Sequence, residues 1–191
     1  MKIILVRHGE SEANARKISQ SENQDWSDTP LTKTGVQQVK LLGRKLKGQK
    51  INYIYSSNLK RARQIAEIIS KIINVSIRDE LGELQEYKGK ILKSRIKVLL
   101  NFRLKKLKKL LDKVSKDRHD NKTILIVAHG ITNRIVLGYF LDIPLKKQLL
   151  FFQQHNSCLN LIRWDEEYEN WQLVAMNDIS HLPIKLSLEN R

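Results

Sequence analysis

The sequence is poor in several residue types, and each shortage removes a class of protein. It has one cysteine, Cys158, among 191 residues, which excludes a disulfide framework and a multi-cysteine metal site and fits a reducing compartment. Three prolines and eight glycines leave no flexible linker, and no period of about 20 to 50 residues recurs to suggest a repeat array. No run reaches the roughly 18 to 20 apolar residues of a transmembrane helix, and Ile3 to Val6 is too short for the core of a secretory signal. Acidic residues are also scarce: 20 Asp and Glu face 35 Lys and Arg, a net charge of +15. That excess favours anionic partners such as phosphate esters, nucleic acid or an acidic membrane surface. With 41% hydrophobic residues and a length of about one domain, the expectation is a single cytoplasmic domain spanning 1–191.

Apolar patterning predicts strands at Lys2 to Val6, Ile51 to Tyr55, Val75 to Ile77, Thr123 to Ala128, Cys158 to Arg163 and Trp171 to Met176. Helices are predicted between them. Thr34 to Lys47 places Val36, Val39, Leu42 and Leu46 at helical spacing, and Leu59 to Ile73 does the same with Ala62, Ile65, Ala66, Ile69 and Ile73. This alternation predicts an α/β fold of three layers, α/β/α, around a mostly parallel central sheet. The last two strands are joined too closely for a crossover helix and predict an antiparallel addition.

Polar residues gather where these strands end. The first runs without a turn from Ile3 to Val6 into Arg7, His8, Gly9 and Glu10. The second ends on Ser56 and Ser57, with Arg61 a helical turn further, and the fourth ends on His129. The third is followed by "RDELGE", which carries Glu83. Ligands of open α/β sheets bind outside the carboxyl ends of the strands, so these side chains converge on one edge. Their types suit phosphoryl transfer. Arginine forks match phosphoryl oxygens and neutralise charge in the transition state. One imidazole can attack phosphorus while the other donates a hydrogen bond to its oxygens, and a carboxylate can protonate the leaving alkoxide and then deprotonate water. Ser57 or Asn58 is expected to cap the helix that follows.

The segments around these residues resemble the histidine phosphatase superfamily in its phosphoglycerate mutase-like branch. "LVRHGESEAN" at 5–14, "TPLTKTGVQQ" at 29–38, "YSSNLKRARQIA" at 55–66, "VAHGITNRIVLGYFLDIP" at 127–144 and "NDISHL" at 177–182 follow the family's order and spacing. The resemblance implies a phosphoglycerate mutase-like fold and His8 as the nucleophile. It implies a phosphate pocket of Arg7, Arg61, His129 and Asn14, and Glu83 as proton donor. After Glu83 the family's tryptophan-containing segment is replaced by "LQEYKGK", so Glu80 and Glu86 stand as alternative donors. Asn58 stands where aspartate is common. The implied activity is hydrolysis of a small phosphorylated metabolite, with no metal or cofactor, and the alternative is a cofactor-dependent phosphoglycerate mutase. Oligomeric state is open, a homodimer included.

The segment 88–118 carries thirteen Lys or Arg against Asp112 and Asp117 and is expected to form a basic helical insertion. Leu92, Ile96, Leu100, Leu104, Leu107, Leu111 and Val114 fall at spacings of three and four, so one face can pack while the other carries the lysines into solvent. Steering of an anionic substrate is a second reading. Nucleic acid or an anionic membrane is disfavoured, since the segment is all but without aromatic residues to stack on bases.

Overall fold

A computed structural model of the chain describes residues 1–16, 28–78 and 107–188. Six strands form one sheet: β1 (Lys2–Arg7), β2 (Ile51–Ser56), β3 (Ile77–Arg78), β4 (Thr123–Ala128), β5 (Leu159–Asp165) and β6 (Asn170–Asp178). Their spatial order is β3-β2-β4-β1-β5-β6. Neighbours among β3, β2, β4 and β1 run parallel, while β5 pairs antiparallel with β1 and β6 antiparallel with β5. The predicted mostly parallel sheet with an antiparallel addition is therefore the observed one.

Side-chain alternation along the central strands divides the core between the two faces. Ile3 and Leu5 of β1, with Ile124, Ile126 and Ala128 of β4, belong to one apolar cluster, and Ile4, Val6, Leu125 and Val127 belong to the other. On the second face lie α2 (Lys33–Leu46) and α3 (Lys60–Ile73), which bury Val39, Leu42 and Leu46, and Ala62, Ile65, Ala66 and Ile69. On the first face lie α4, described over 107–116, and α5 (Gly130–Phe140). They contribute Leu107, Leu110, Leu111, Val114, Val136, Leu137 and Phe140. Each large side chain so buried stabilises the fold by about 1.5 to 3 kcal/mol. Three shorter helices, α1 (Glu12–Ala15), α6 (Leu145–Phe151) and α7 (Ile184–Leu188), complete the described chain.

The part of the basic segment that is described behaves as its spacing predicts. Leu107, Leu111 and Val114 are buried, and Lys108, Lys109, Lys113 and Lys116 are exposed. Residues 88–106 of that segment lie outside the described residues. Among the described residues no helix is long and apolar enough to cross a membrane.

Two local expectations are corrected. The strand predicted at Val75 to Ile77 is observed as Ile77–Arg78. Asn74 closes α3 in the left-handed region, at φ 55° and ψ 50°, and Val75 N donates back to Ser70 O at 3.3 Å. Val75 thus belongs to the helix terminus rather than to the ladder. The expected cap of α3 by Ser57 or Asn58 is not formed either. Leu59 is the N-cap and no side-chain cap bond is made there. Asp28 Oδ1 instead accepts from Lys60 N at 2.7 Å, bringing a carboxylate to the positive end of the helix.

Candidate active site

Register brings the two histidines together. Arg7 pairs with Ala128 across β1 and β4, so the residues that follow, His8 and His129, leave the sheet side by side. His8 N donates to Ala128 O at 3.0 Å, and Ser157 N donates to His8 O at 3.0 Å. The ring centroids lie 5.2 Å apart with planes at 60°, and both side chains are almost wholly buried, as is Arg61 in the first turn of α3. His129 is the N-cap of α5, so the aligned amides of that helix start beside the imidazoles.

The tautomer of His8 follows from its partner. Nδ1 lies 2.8 Å from Gly9 O. A carbonyl oxygen can only accept, so Nδ1 carries the proton and Nε2 the lone pair. Nε2 is buried and has no hydrogen-bond partner among the described residues. Burial, followed by the charges of Arg7, His129 and Arg61, pushes the pKa of His8 well below its ordinary value. Burial and the charges of Arg61 and Arg7 do the same to His129. At neutral pH both rings are neutral, within reach of two guanidinium charges. The result is an unprotonated nitrogen with its lone pair in a cationic setting suited to an anion.

Each neighbour is held by a specific contact. His129 Nε2 lies 2.9 Å from Ser57 Oγ, and Ser57 itself is fixed to β4 by its N–H to Val127 O at 3.0 Å. Arg7 Nη1 donates to Gln154 O. The chain after His8 is clamped by α2. Glu10 N donates to Gln38 Oε1 at 2.9 Å, and Thr32 Oγ1 donates to Glu10 Oε1 at 2.6 Å while accepting from Gly35 N at 3.0 Å. The close approach requires glycine on both sides. A Cβ on Gly35 would lie 2.0 Å from Glu10 O, and one on Gly9 would lie 2.8 Å from Gly35 O.

Of the residues expected from the sequence, Arg7, His8, Arg61 and His129 come together. Asn14 sits in α1, where its Oδ1 accepts from Ser11 N at 3.2 Å in a capping box; any contact it makes to an anion must therefore come from Nδ2. Glu83, Glu80 and Glu86 lie outside the described residues. Sequence reasoning did not foresee Ser57 as the partner of His129. The available signal was a hydroxyl residue ending β2 where β4 ends on the histidine. It also gave no role to Gln154, Asn156 and Asn160, which are buried polar residues in a loop and strand without a helical or alternating pattern.

These burials make stability depend on pH with a definite sign. A histidine whose folded pKa lies below its unfolded value of about 6.5 leaves the unfolded chain holding more protons as pH falls, so stability is present above that value and lost below it. His8 and His129 act in this way, and so does His181, lowered to about 4 by burial and the charge of Lys45. The stabilisation from Asp178 is present at neutral pH and is lost only below its unfolded value of about 3.9. Burial pushes its pKa up, but bonds from Lys45 and Ser180 hold it down at about 2. The melting temperature is therefore expected to fall steadily between pH 7 and pH 4. His8→Gln is expected to flatten that slope, which thermal melts at a series of pH values would measure.

The sequence matches the family model "Histidine phosphatase superfamily (branch 1)" over residues 3–95 and 103–179. A curated relative named "Uncharacterized phosphatase PhoE", from Bacillus subtilis, is 30% identical, the alignment covering 94% of this chain and 96% of the relative. Another, named "Probable phosphoglycerate mutase GpmB", from Photorhabdus laumondii, is 28% identical over 95% of each chain. Among solved structures, Bacillus stearothermophilus YhfR is alike in fold, with a TM-score of 0.73 at 24% identity over 94% of this chain and 98% of that one.

Proposed function

The chain belongs to the histidine phosphatase superfamily, branch 1, and from that premise we propose that it is a phosphomonoesterase acting on a small phosphorylated metabolite through a phosphohistidine on His8. The observation that carries the reading is the buried, proton-free Nε2 of His8 beside Arg7, Arg61 and His129. Arg7, Arg61 and His129 hold the phosphoryl oxygens, with Asn14 Nδ2 as an additional donor. The Nε2 lone pair attacks phosphorus, the bond to the ester oxygen breaks, and that oxygen takes a proton from a carboxylic acid. Glu83 is assigned this role, and Glu80 or Glu86 is the alternative. Water then gives its proton to the resulting carboxylate and its oxygen attacks phosphorus, the bond to Nε2 breaks, and inorganic phosphate leaves with the lone pair restored to His8.

The cationic groups remain nearly constant through both steps, while negative charge spreads over the equatorial oxygens in the transition state. Guanidinium donors already in place stabilise that charge without solvent reorganisation. Because this stabilisation comes from the chain's own side chains, EDTA is expected to leave the rate unchanged. The assignment of a cytoplasmic setting is part of the same reading.

The mutase reading is favoured by the name of the Photorhabdus laumondii relative. A mutase must shelter its phosphorylated histidine from water until the phosphoryl group returns, which requires a roof over the site. Only 45 residues lie between Glu83 and His129, and part of that span is α4, which packs on the sheet. This favours hydrolysis. Incubation with 3-phosphoglycerate, with and without 2,3-bisphosphoglycerate, separates the two. Free phosphate supports the phosphatase, while 2-phosphoglycerate formed only with the bisphosphate primer overturns it in favour of the mutase.

A further inference from the structure

Behind the cationic cup lies a closed pair of carboxamides that the phosphoryl chemistry above does not use. Gln154 Nε2 donates to Asn160 Oδ1 at 2.8 Å, and Asn160 Nδ2 returns a bond to Gln154 Oε1 at 2.9 Å. Both side chains are buried. The pair reaches four other parts of the fold. Asn160 Nδ2 also donates to Leu5 O of β1 at 3.3 Å, and Asn160 Oδ1 accepts from Asn177 N of β6 at 2.9 Å. Gln154 Oε1 accepts from Asn133 Nδ2 of α5 at 3.3 Å and from Cys158 Sγ at 3.3 Å. A carboxamide buried with all its donors and acceptors satisfied is costly to move, because displacement leaves polar groups without partners in a low-dielectric interior.

The main-chain oxygen of Gln154 is the acceptor for Arg7 Nη1. Arg7 is the last residue of β1, its own N–H bonded to Cys158 O at 3.2 Å, and its side chain passes Gly130 at the start of α5, where a Cβ would lie 3.5 Å from Arg7 Nε. We propose that Gln154 and Asn160 are positioning residues: their amide pair fixes the Gln154 carbonyl, which turns the Arg7 guanidinium so that its remaining N–H groups face the phosphoryl oxygens. A guanidinium offers five N–H donors in a rigid plane, so anchoring one nitrogen sets the direction of the others. Both members of the pair are neutral, so the device adds no charge that would offset Arg7 or titrate with the substrate.

This inference rests on Arg7 binding phosphoryl oxygens, as proposed above, but its test does not need turnover. Affinity for inorganic phosphate is measured by calorimetry for the wild type, Gln154→Met, Arg7→Ala and the double variant, with circular dichroism to establish folding. Methionine keeps the length of the glutamine side chain and removes its hydrogen bonds. Gln154→Met is expected to weaken phosphate binding roughly tenfold in the wild type and to have no further effect once Arg7 is alanine. A merely structural role would lower affinity by the same factor in both backgrounds, and that result overturns the proposal, as does phosphate binding insensitive to Arg7→Ala. Should Gln154→Met not fold, Asn160→Ser removes both bonds of the pair and carries the same cycle. A wild type that binds phosphate through Arg7 yet never hydrolyses an ester would sink the phosphatase reading and leave this one standing.

Discussion

His8→Ala is expected to lower hydrolysis of p-nitrophenyl phosphate by a factor on the order of 10⁴ or more while the protein still folds. The size of the effect follows from what is removed. Aryl phosphate offers a good leaving group, so proton donation by a carboxylic acid matters less for it, and attack on phosphorus is the step the enzyme must supply. At the strand ends Nε2 of His8 is held buried, unprotonated and without a hydrogen bond among the described residues, so its lone pair is the one the tautomer leaves available for attack. Folding should survive, because the ring's bond is a local one to Gly9 O and the ring is neutral, so no buried charge is left without its partner. Initial rates and a melting curve for the purified variant check both halves. An enzyme that retained a tenth of its activity would mean that the attacking group is something else.

Gly35→Ala is expected to damage rate and stability together, by a wholly different route. The added Cβ would overlap Glu10 O at 2.0 Å, with Glu10 C and Glu10 N at 3.0 Å. These are backbone atoms two residues from His8, and they cannot swing aside as a flexible side chain would. Either α2 withdraws, losing the bond from Thr32 Oγ1 to Glu10 Oε1 and that from Glu10 N to Gln38 Oε1, or the segment carrying His8 shifts. Overpacking of this kind costs roughly 3 kcal/mol, and a displacement of about 1 Å at a reacting group costs on the order of 10²-fold in rate. Chemical denaturation and kinetics on the same preparation measure the two losses together. Wild-type stability and rate would contradict the clamp. Lys40→Ala, on the same helix but exposed, serves as the control and should change neither.

The contrast between these variants shows which parts of the account could be read from residue order. Strand ends were legible because a short apolar run fixes where a buried strand stops, and the parallel topology then fixes which edge its successor faces. Arg7, His8, Ser57 and His129 follow from that alone, and Arg61 from one turn of α3. The clamp of Gly35, Thr32 and Gln38 on Glu10 was visible only as a matched block of letters, since nothing in the spacing of 29–38 says that it touches residue 10. Gln154 and Asn160 gave no sign at all. A buried carboxamide is indistinguishable in sequence from a solvated one until the partner that satisfies it is known. Edge strand β3 was misplaced because two paired residues, Ile54 with Ile77 and Tyr55 with Arg78, leave little pattern to detect. The cap of α3 was misassigned because Asp28, 32 positions before Lys60, supplies the acceptor that Ser57 or Asn58 was expected to provide.

The basic segment divides along the same line. Leu107, Leu111 and Val114 were readable as a packing stripe and are buried in the core. Whether its lysines also steer anionic substrate is a matter of rate. Steering predicts that kcat/KM falls as salt is raised while kcat holds; a solvated face predicts no such dependence.

The central claim is a covalent bond between phosphorus and Nε2 of His8, and the most direct test is to trap it. The protein is mixed with an excess of p-nitrophenyl phosphate, quenched within milliseconds in alkali, digested and analysed by mass spectrometry for a phosphorylated peptide containing His8. The account predicts that peptide, stable in alkali, lost on acid treatment and formed no more slowly than turnover. Steady hydrolysis with no phosphorus ever found on His8, or with phosphorus found on another residue, would contradict it.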